Sequence, residues 1–326
     1  MVLLVDEELY DARDRHFSTR RPAKYFESEF HVSAALRELK AEVTAVPATR
    51  NLVEMFSAVQ RLRPHVVFNL VEHVGGYRRG DSVIAGILEC AGLHYTGASA
   101  RALMLSRDKH LSKIIVSAAG VPVPKSFVVR SLPVPANFMK FPAIVKPLNE
   151  DASEGIDARS YVTNSTQLAL QVKRLIKTFE QPAICEEFVS GRELYVTASG
   201  IRQVTIDSIC ELIFSEEAPV KFATNRVKFD EQYRAKHKIR YQKSPVLSVL
   251  QRKNVQAASR AAYDALGIAS YAKLEFRLRG DDVFFLEANP NSHLSRFSSS
   301  TDFEAIGYKR FIEKIVRMAL RRGKQL

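Results

Sequence analysis

The sequence predicts an α/β domain followed by α+β subdomains, and three observations carry that reading. Strands and helices alternate through residues 1–103, the pattern of a parallel sheet. A stretch punctuated by Pro122, Pro124, Pro133, Pro135 and Pro142 then leads into hydrophobic runs that follow one another closely enough to pair antiparallel. Near the end, KLEFRL, a glycine turn and a second apolar run leading into LEANPNSHLS read as two adjacent strands rich in oxygen-bearing side chains.

In order, residues 2–5 read as a short buried strand, Val32, Ala35, Leu36 and Leu39 recur at helical spacing, and a strand follows at 43–46. The next unit is a helix over 52–62 stopped by Pro64, a strand over 66–70, and a loop bearing Gly75, Gly76 and Gly80. Ligands of parallel sheets gather beyond the carboxyl ends of the strands, so residues 69–82 are a predicted substrate edge. A helix over 107–119 ends at Gly120, and an apolar strand starts again at 143–145. Asn164 with Gln167 reads as a capping box for a helix whose apolar face is Leu168, Val172, Leu175, Ile176 and Phe179. Strands at 183–188, 194–198 and 204–213 give the middle its antiparallel component. Three parts result: an N-terminal, substrate-side α/β domain over 1–103, a central subdomain over 104–188, and a C-terminal subdomain over 189–326 that carries the acidic hairpin.

Composition bounds what this architecture serves. With 326 residues, 46% hydrophobic and 26% charged, the chain suits a multi-domain globular protein. No run approaches a membrane span, and the apolar opening is broken at once by Asp6, Glu7 and Glu8, too short and too acidic for a signal peptide. Cys90, Cys185 and Cys210 have no paired spacing, which fits a reduced, cytoplasmic protein rather than a disulfide or zinc scaffold. The net charge of +12 suits an anionic ligand, whether nucleotide, surface or nucleic acid.

Three runs carry chemistry. Residues two apart on a strand share a face, so Glu287 and Asn289 present their oxygens together, and a neighbouring strand can bring Glu275 beside them. Hard oxygen donors of this kind suit magnesium, although a solvated acidic hairpin fits the spacing equally. In FPAIVKP, Lys146 ends an apolar strand and therefore needs an anion. The following loop, with Ser153 and Gly155, offers N–H groups to phosphate or is an ordinary turn. The run EEFVSGRE, over residues 186–193, describes many hairpins when taken alone.

Taken together these runs resemble the ATP-grasp superfamily, and most closely its D-alanine–D-alanine ligase branch, along nearly the whole chain. VFNLVE at 67–72 resembles that branch's first-domain substrate loop, and YTGASARALMLSRDK at 95–109 the entry to its central domain. FPAIVKP and LEANPN are similar to its ATP-binding lysine strand and its magnesium strand. The resemblance implies an ATP-grasp fold and an ADP-forming carboxylate–amine ligase that works through an acyl-phosphate. It makes Lys109 and Lys146 phosphate ligands, with Ser153 and Gly155 in the phosphate loop. Glu186, Glu187, Phe188 and Val189 become the adenine-side strand, and Glu193 meets the ribose. Glu275, Glu287 and Asn289 become ligands of two magnesium ions, with manganese as a substitute. Lys228 reaches the terminal phosphate from a mobile lid over 223–233. Glu29 orients a substrate amino group, and Lys273 stands where the family keeps an arginine near the reacting carboxylate. Dimerisation through the first domain is also implied.

Departures from the family pattern lie on the amino-acid side. Ala152 stands for a loop serine, Phe229 for a tyrosine, and His293 for a small residue beside the product carboxylate. Glu72 and Ser298 complete the expected substrate-binding set. These changes predict amino-acid-like substrates other than two D-alanines, with a D-alanine–D-alanine ligase as the alternative. Two readings from other classes are a nucleotide-binding protein without turnover and a nucleic-acid-binding protein. The second rests on Lys309, Arg310, Lys314, Arg317, Arg321, Arg322 and Lys324 in the last helix. That helix also has an apolar face, Phe311, Ile315 and Ala319, and no interleaved aromatics for base stacking, which favours a solvated basic surface.

Overall fold

The computed structural model describes residues 1–18, 27–135 and 140–322, so Lys324 lies outside the described residues. The first part runs β1 (Val2–Asp6), α1 (Glu27–Glu38), β2 (Thr44–Ala48), α2 (Leu52–Arg61), β3 (Val67–Asn69), α3 (Gly80–Cys90), α4 (Ala100–Arg107) and α5 (Lys109–Ala118). Its sheet is parallel, in the order β2-β1-β3. All five residues of β1 are buried, as expected of a central parallel strand covered on both faces.

The helix expected over 107–119 is α5, and a separate helix, α4, not expected from the sequence, stands in front of it. Asp108 separates them, its carboxylate accepting from the N–H groups of His110 and Leu111 and so starting α5 afresh.

A four-stranded antiparallel sheet follows, ordered β4-β7-β5-β6, from β4 (Ser126–Val129), β5 (Ala143–Pro147), β6 (Tyr161–Val162) and β7 (Ala183–Glu187). It is backed by α6 (Ser165–Phe179), whose buried Leu168, Val172 and Leu175 are the predicted apolar face. Asn164 caps α6 through Gln167 N–H, but the capping box is not closed: the Gln167 side chain accepts from the Thr163 N–H instead.

The third sheet is antiparallel and five-stranded, in the order β10-β9-β8-β11-β12. It is built from β8 (Arg192–Ser199), β9 (Thr205–Ile213), β10 (Arg240–Lys243), β11 (Tyr271–Arg279) and β12 (Asp282–Asn289). Between β9 and β10 lie two short helices, α7 (Asn225–Phe229) and α8 (Glu231–Lys236), where a loop was expected. Thr224 and Asp230 are their N-caps. The chain continues through α9 (Val249–Ala265) and, after β12, ends its described part with α10 (Phe303–Ile306) and α11 (Tyr308–Arg322). The apolar face of α11, with Phe311, Ile312 and Ile315, shares one core with Leu3 and Val5 of β1 and with Val32 and Leu36 of α1. The last helix thus returns to the first sheet.

Candidate active site

The two antiparallel sheets face each other across a cleft. One wall carries Lys146 of β5 and Glu186 of β7. The other carries Glu193 of β8, Glu275 and Arg277 of β11, and Glu287 of β12. Ser153, Phe188, Val189, Phe222 and Ala223 close the same cavity. Its free volume is about 40 Å³, roughly room for a single water. A nucleotide therefore requires the walls to part.

Strand register explains why these side chains meet. Glu275 lies directly opposite Glu287, and Lys273 opposite Asn289. Directly opposed residues share a face, so all four project together. Lys228, on α7, donates to Glu275 Oε1 at 2.8 Å and lies 3.7 Å from Glu287 Oε1. Burial and the facing Glu287 hold the Glu275 carboxyl up at about 7 against the pull of Lys228. Burial also opposes the charge of Glu287, yet the surrounding lysines, Lys228 foremost, hold it down at about 2. Lys228 is held above its ordinary value, its two acids outweighing burial. Its short helix thus plugs the acidic face with a cation.

Among the described residues no group of three or more His, Cys, Asp or Glu side chains could hold a metal. The donors on offer are two carboxylates and the Asn289 amide, whose oxygen already accepts the Asn291 N–H at 2.9 Å. This set is poor for an all-protein metal cage. It fits magnesium arriving with phosphate oxygens, since that ion is commonly held by one or two carboxylates plus substrate and water.

On the opposite wall, Glu186 lies opposite Ile144 in the β5–β7 register, so Lys146, two residues along, reaches it diagonally. The distance is 2.9 Å. Lys113 of α5 approaches the other carboxylate oxygen to 2.7 Å and also donates to the Leu286 carbonyl of β12 at 2.6 Å. Burial opposes the charge of Glu186, but the two ammonium groups hold it at about 2. Lys113 is missing from the sequence-based set, although it lies one helical turn beyond Lys109 on the same face. Lys109 is buried and donates to the Glu150 carbonyl.

The loop after β5 departs from ordinary backbone geometry. Ala152, Ser153 and Gly155 have φ of 55°, 57° and 75°. A Cβ on Gly155 would come within 2.6 Å of Pro147 and 2.7 Å of Phe179, so glycine is required there on two counts. Successive residues in this conformation leave N–H groups able to gather around an anion.

Glu193 is fully engaged: Arg277 at 2.7 Å, the Tyr195 hydroxyl at 2.8 Å and the Ala223 N–H at 3.3 Å all donate to it. Arg277 also escaped sequence reasoning, though Lys273, Glu275 and Arg277 share one face by the period of the strand. Its guanidinium carbon lies 5.4 Å from the centre of the Phe188 ring. Glu187 ends β7, its N–H donating to the Lys125 carbonyl at 2.8 Å.

At the far end, Lys273 donates to the Ser300 hydroxyl at 2.7 Å, and burial pushes its ammonium down to about 8. The serine beside the cation is thus Ser300; Ser298 makes a turn hydrogen bond through its own N–H to the Ser295 carbonyl. Glu72 and His293 are both solvent-exposed, Glu72 just beyond β3 and His293 just beyond β12. The two segments are tied together where the Asn291 side chain donates to the Val71 carbonyl at 2.6 Å.

Glu29 of α1 is only 4% exposed, and its Oε2 has no hydrogen-bond partner. Burial first, and then the charges of Glu72 and Asp6, push its carboxyl up to about 8. The Tyr308 hydroxyl, which donates to the Leu294 carbonyl, is the other titratable group that feels Glu29. A raised carboxyl pKa means that between about 4.5 and 8 the unfolded chain has lost a proton the folded chain keeps, so stability falls as pH rises through that window. Glu29→Gln is therefore expected to melt at a higher temperature than the wild type at pH 8, with the gap closing toward pH 5. Parallel thermal melts check it, and a gap that widens toward pH 5 contradicts the assignment.

A roomier cavity, about 670 Å³, is lined by Arg202, Arg310, Lys314, Arg317 and Arg321 and shares no residue with the cleft. No described helix is long and apolar enough to cross a membrane.

Comparison with known proteins accounts for the two-walled cleft. The family model described as D-ala D-ala ligase C-terminus matches residues 117–317. An uncharacterized protein, y4sG, of Sinorhizobium fredii is 30% identical over 82% of this chain and 79% of its own. A D-alanine–D-alanine ligase of Gluconobacter oxydans is 27% identical over 94% of this chain and 97% of its own. The fold superposes on a Bacillus anthracis D-alanine–D-alanine ligase solved with ATP, with a TM-score of 0.74, 16% identity, and coverage of 99% of this chain and 98% of that one. The facing antiparallel sheets are thus those of an ATP-grasp enzyme, and the chain belongs to the D-alanine–D-alanine ligase family of ADP-forming ligases that join a carboxylate to an amine.

Proposed function

We propose that the enzyme joins two amino-acid-like substrates other than a pair of D-alanines. The observation that carries this reading is the contrast between the two ends of the cleft. The nucleotide end keeps Lys109, Lys146, Lys228, Glu275, Glu287 and Asn289, whereas the substrate end carries Ala152, Phe229, Lys273 and His293 where the family pattern has other residues. Lysine for arginine is not a conservative change at a carboxylate, because the ammonium lacks the planar fork that binds two oxygens at once.

In this reading Lys109, Lys146 and the N–H groups of the 152–155 loop neutralise the ATP phosphates. Lys228 releases Glu275 and turns to the terminal phosphate. Glu193, Phe188 and Val189 face the nucleoside. Glu275, Glu287 and Asn289 would hold magnesium, which would screen the phosphate charge and polarise the phosphorus toward attack. The substrate carboxylate takes the terminal phosphoryl group, and Lys273 supports the oxyanion that forms when the amine attacks the resulting acyl-phosphate. Glu29 holds the ammonium of the activated substrate. α7 and α8 keep water from the acyl-phosphate while the lid is shut.

The second reading, a D-alanine–D-alanine ligase, is favoured by the name of the Gluconobacter relative. ADP release with ATP and magnesium, measured against D- and L-amino acids singly and in pairs with mass spectrometry of products, separates the two. Efficient dipeptide formation from D-alanine alone would overturn the first reading; a mixed or non-alanine amide supports it.

A further inference from the structure

The substrate end of the cleft holds more carboxyl groups than one amino group can answer. Glu29 is buried with Oε2 unpartnered, and the wholly buried Tyr271 leaves its hydroxyl unpartnered as well. The Glu72 carboxylate, close enough to act electrostatically on both Glu29 and Tyr271, has no hydrogen bond or ion pair among the described residues. Asp6, at the end of β1, accepts the N–H groups of Glu72 and His73 on one oxygen, at 3.0 and 3.2 Å. Its other oxygen lies 3.5 Å from His73 Nε2, and that nitrogen is shared with Glu8 at 2.9 Å.

Among the described residues the neighbouring arginines pair with other acids, and Lys273 donates to a neutral hydroxyl while its charge still reaches Glu72. Arg78 pairs with Glu150 and Glu154, Arg107 with Asp81 and Asp151, and Lys273 is bonded to Ser300. Among the described residues these carboxyls thus have one imidazole at salt-bridge distance, His73, which Asp6 shares with Glu8. Burial first, and then Glu8, hold Asp6 up at about 6 against the pull of His73; partial desolvation of its carboxyl, and then Asp6 and Asp151, hold Glu72 at about 7 against Arg78 and Arg107. Like charges this close in a partly desolvated place require a proton or a cation. A single substrate ammonium at Glu29 leaves Glu72 without a bonded partner among the described residues and Asp6 with only a shared imidazole.

We propose that the substrate whose ammonium meets Glu29 carries a second cationic group, an ammonium or guanidinium on its side chain, seated between Glu72 and Asp6. The inference rests on the ligase reading and sharpens it: the activated substrate is a basic amino acid. Tyr271 supplies a hydroxyl to the same pocket, and Glu72, on the loop after β3, distinguishes basic from neutral side chains.

The test compares alanine and serine with 2,3-diaminopropionate, ornithine, lysine and arginine, in both configurations, as the varied substrate for ADP release with ATP and magnesium. Partner amino acids are in excess, and wild type is compared with Glu72→Gln. The expected result is a kcat/KM at least about tenfold higher for a basic member than for alanine or serine, with that ratio falling at least about tenfold in Glu72→Gln. Neutral amino acids used as well as basic ones, or a ratio unmoved by Glu72→Gln, would overturn the inference while leaving the ligase reading intact. Absence of turnover with every amino acid would instead count against the ligase reading. Calorimetric titration of lysine and alanine into the protein loaded with a non-hydrolysable ATP analogue and magnesium then decides the pocket: tighter lysine binding lost in Glu72→Gln supports it, and equal binding overturns it.

Discussion

Glu287→Gln is expected to lower ATP turnover by at least about 100-fold while leaving the fold intact. Glutamine matches glutamate in shape, and Glu287 lies on a strand whose apolar neighbours, Phe285 and Ala288, pack elsewhere. The change is one of charge. Glu287 faces Glu275 in register and is kept ionised by Lys228, Lys109, Lys146 and Lys113, even though burial opposes it. Removing that charge takes away half of the carboxylate pair that would hold magnesium against phosphate, and it also lets Lys228 settle on Glu275 alone. ADP release under saturating substrates, with a magnesium titration, reads both consequences. Turnover equal to wild type would remove the metal assignment from this face.

The largest effect on stability is expected at Glu186. This carboxylate is 1% exposed and holds two buried ammonium groups, Lys113 at 2.7 Å and Lys146 at 2.9 Å. Glu186→Ala leaves both cations desolvated without the acid they contact, a loss of about 3–5 kcal/mol by comparison with other broken buried pairs. For a unit of this size the melting temperature should fall by on the order of 10 °C. Lys113→Met together with Glu186→Ala should recover part of the loss, because one stranded charge goes with the acid. A drop of only a degree or two in Glu186→Ala would mean that water, not protein, surrounds these lysines. The acid limb carries the same signature. With Glu186 held at about 2 against an ordinary 4.5, its contribution is complete above about pH 4.5 and fades as pH falls toward 2.

Much of this arrangement is legible in the amino-acid string. The alternation of β11 and β12 puts Glu275, Glu287 and Asn289 on one face without any knowledge of the fold, because the period of a strand is fixed by its pleat. The same rule, applied one residue pair further, would have found Arg277. Asp108 is likewise visible as an N-cap inside SRDKH, and it places the start of α5 at Lys109. Thr224 and Asp230 are caps of the same kind, and they turn the expected lid loop into two short helices. Other features depend on contacts no local pattern encodes. Lys113 joins the cleft wall because α5 packs on β12, bringing it to Glu186 and to the Leu286 carbonyl. Asp6 looks like the polar end of a strand, and its proximity to Glu72 arises from parallel pairing between β1 and β3, distant in sequence. Ser300 meets Lys273 across the turn after β12, a contact between distant positions that no local pattern announces.

The central claim is that this cleft activates a carboxylate as an acyl-phosphate, and oxygen transfer tests it most directly. The amino acid that supports ADP release is supplied with its carboxylate labelled with oxygen-18, and the phosphate released during a single turnover is analysed by mass spectrometry. The account predicts one labelled oxygen in the phosphate for each amide formed, since the oxygen that attacks phosphorus leaves with it. Unlabelled phosphate accompanying amide formation would contradict it, because ATP would then have been cleaved without passing through the carboxylate.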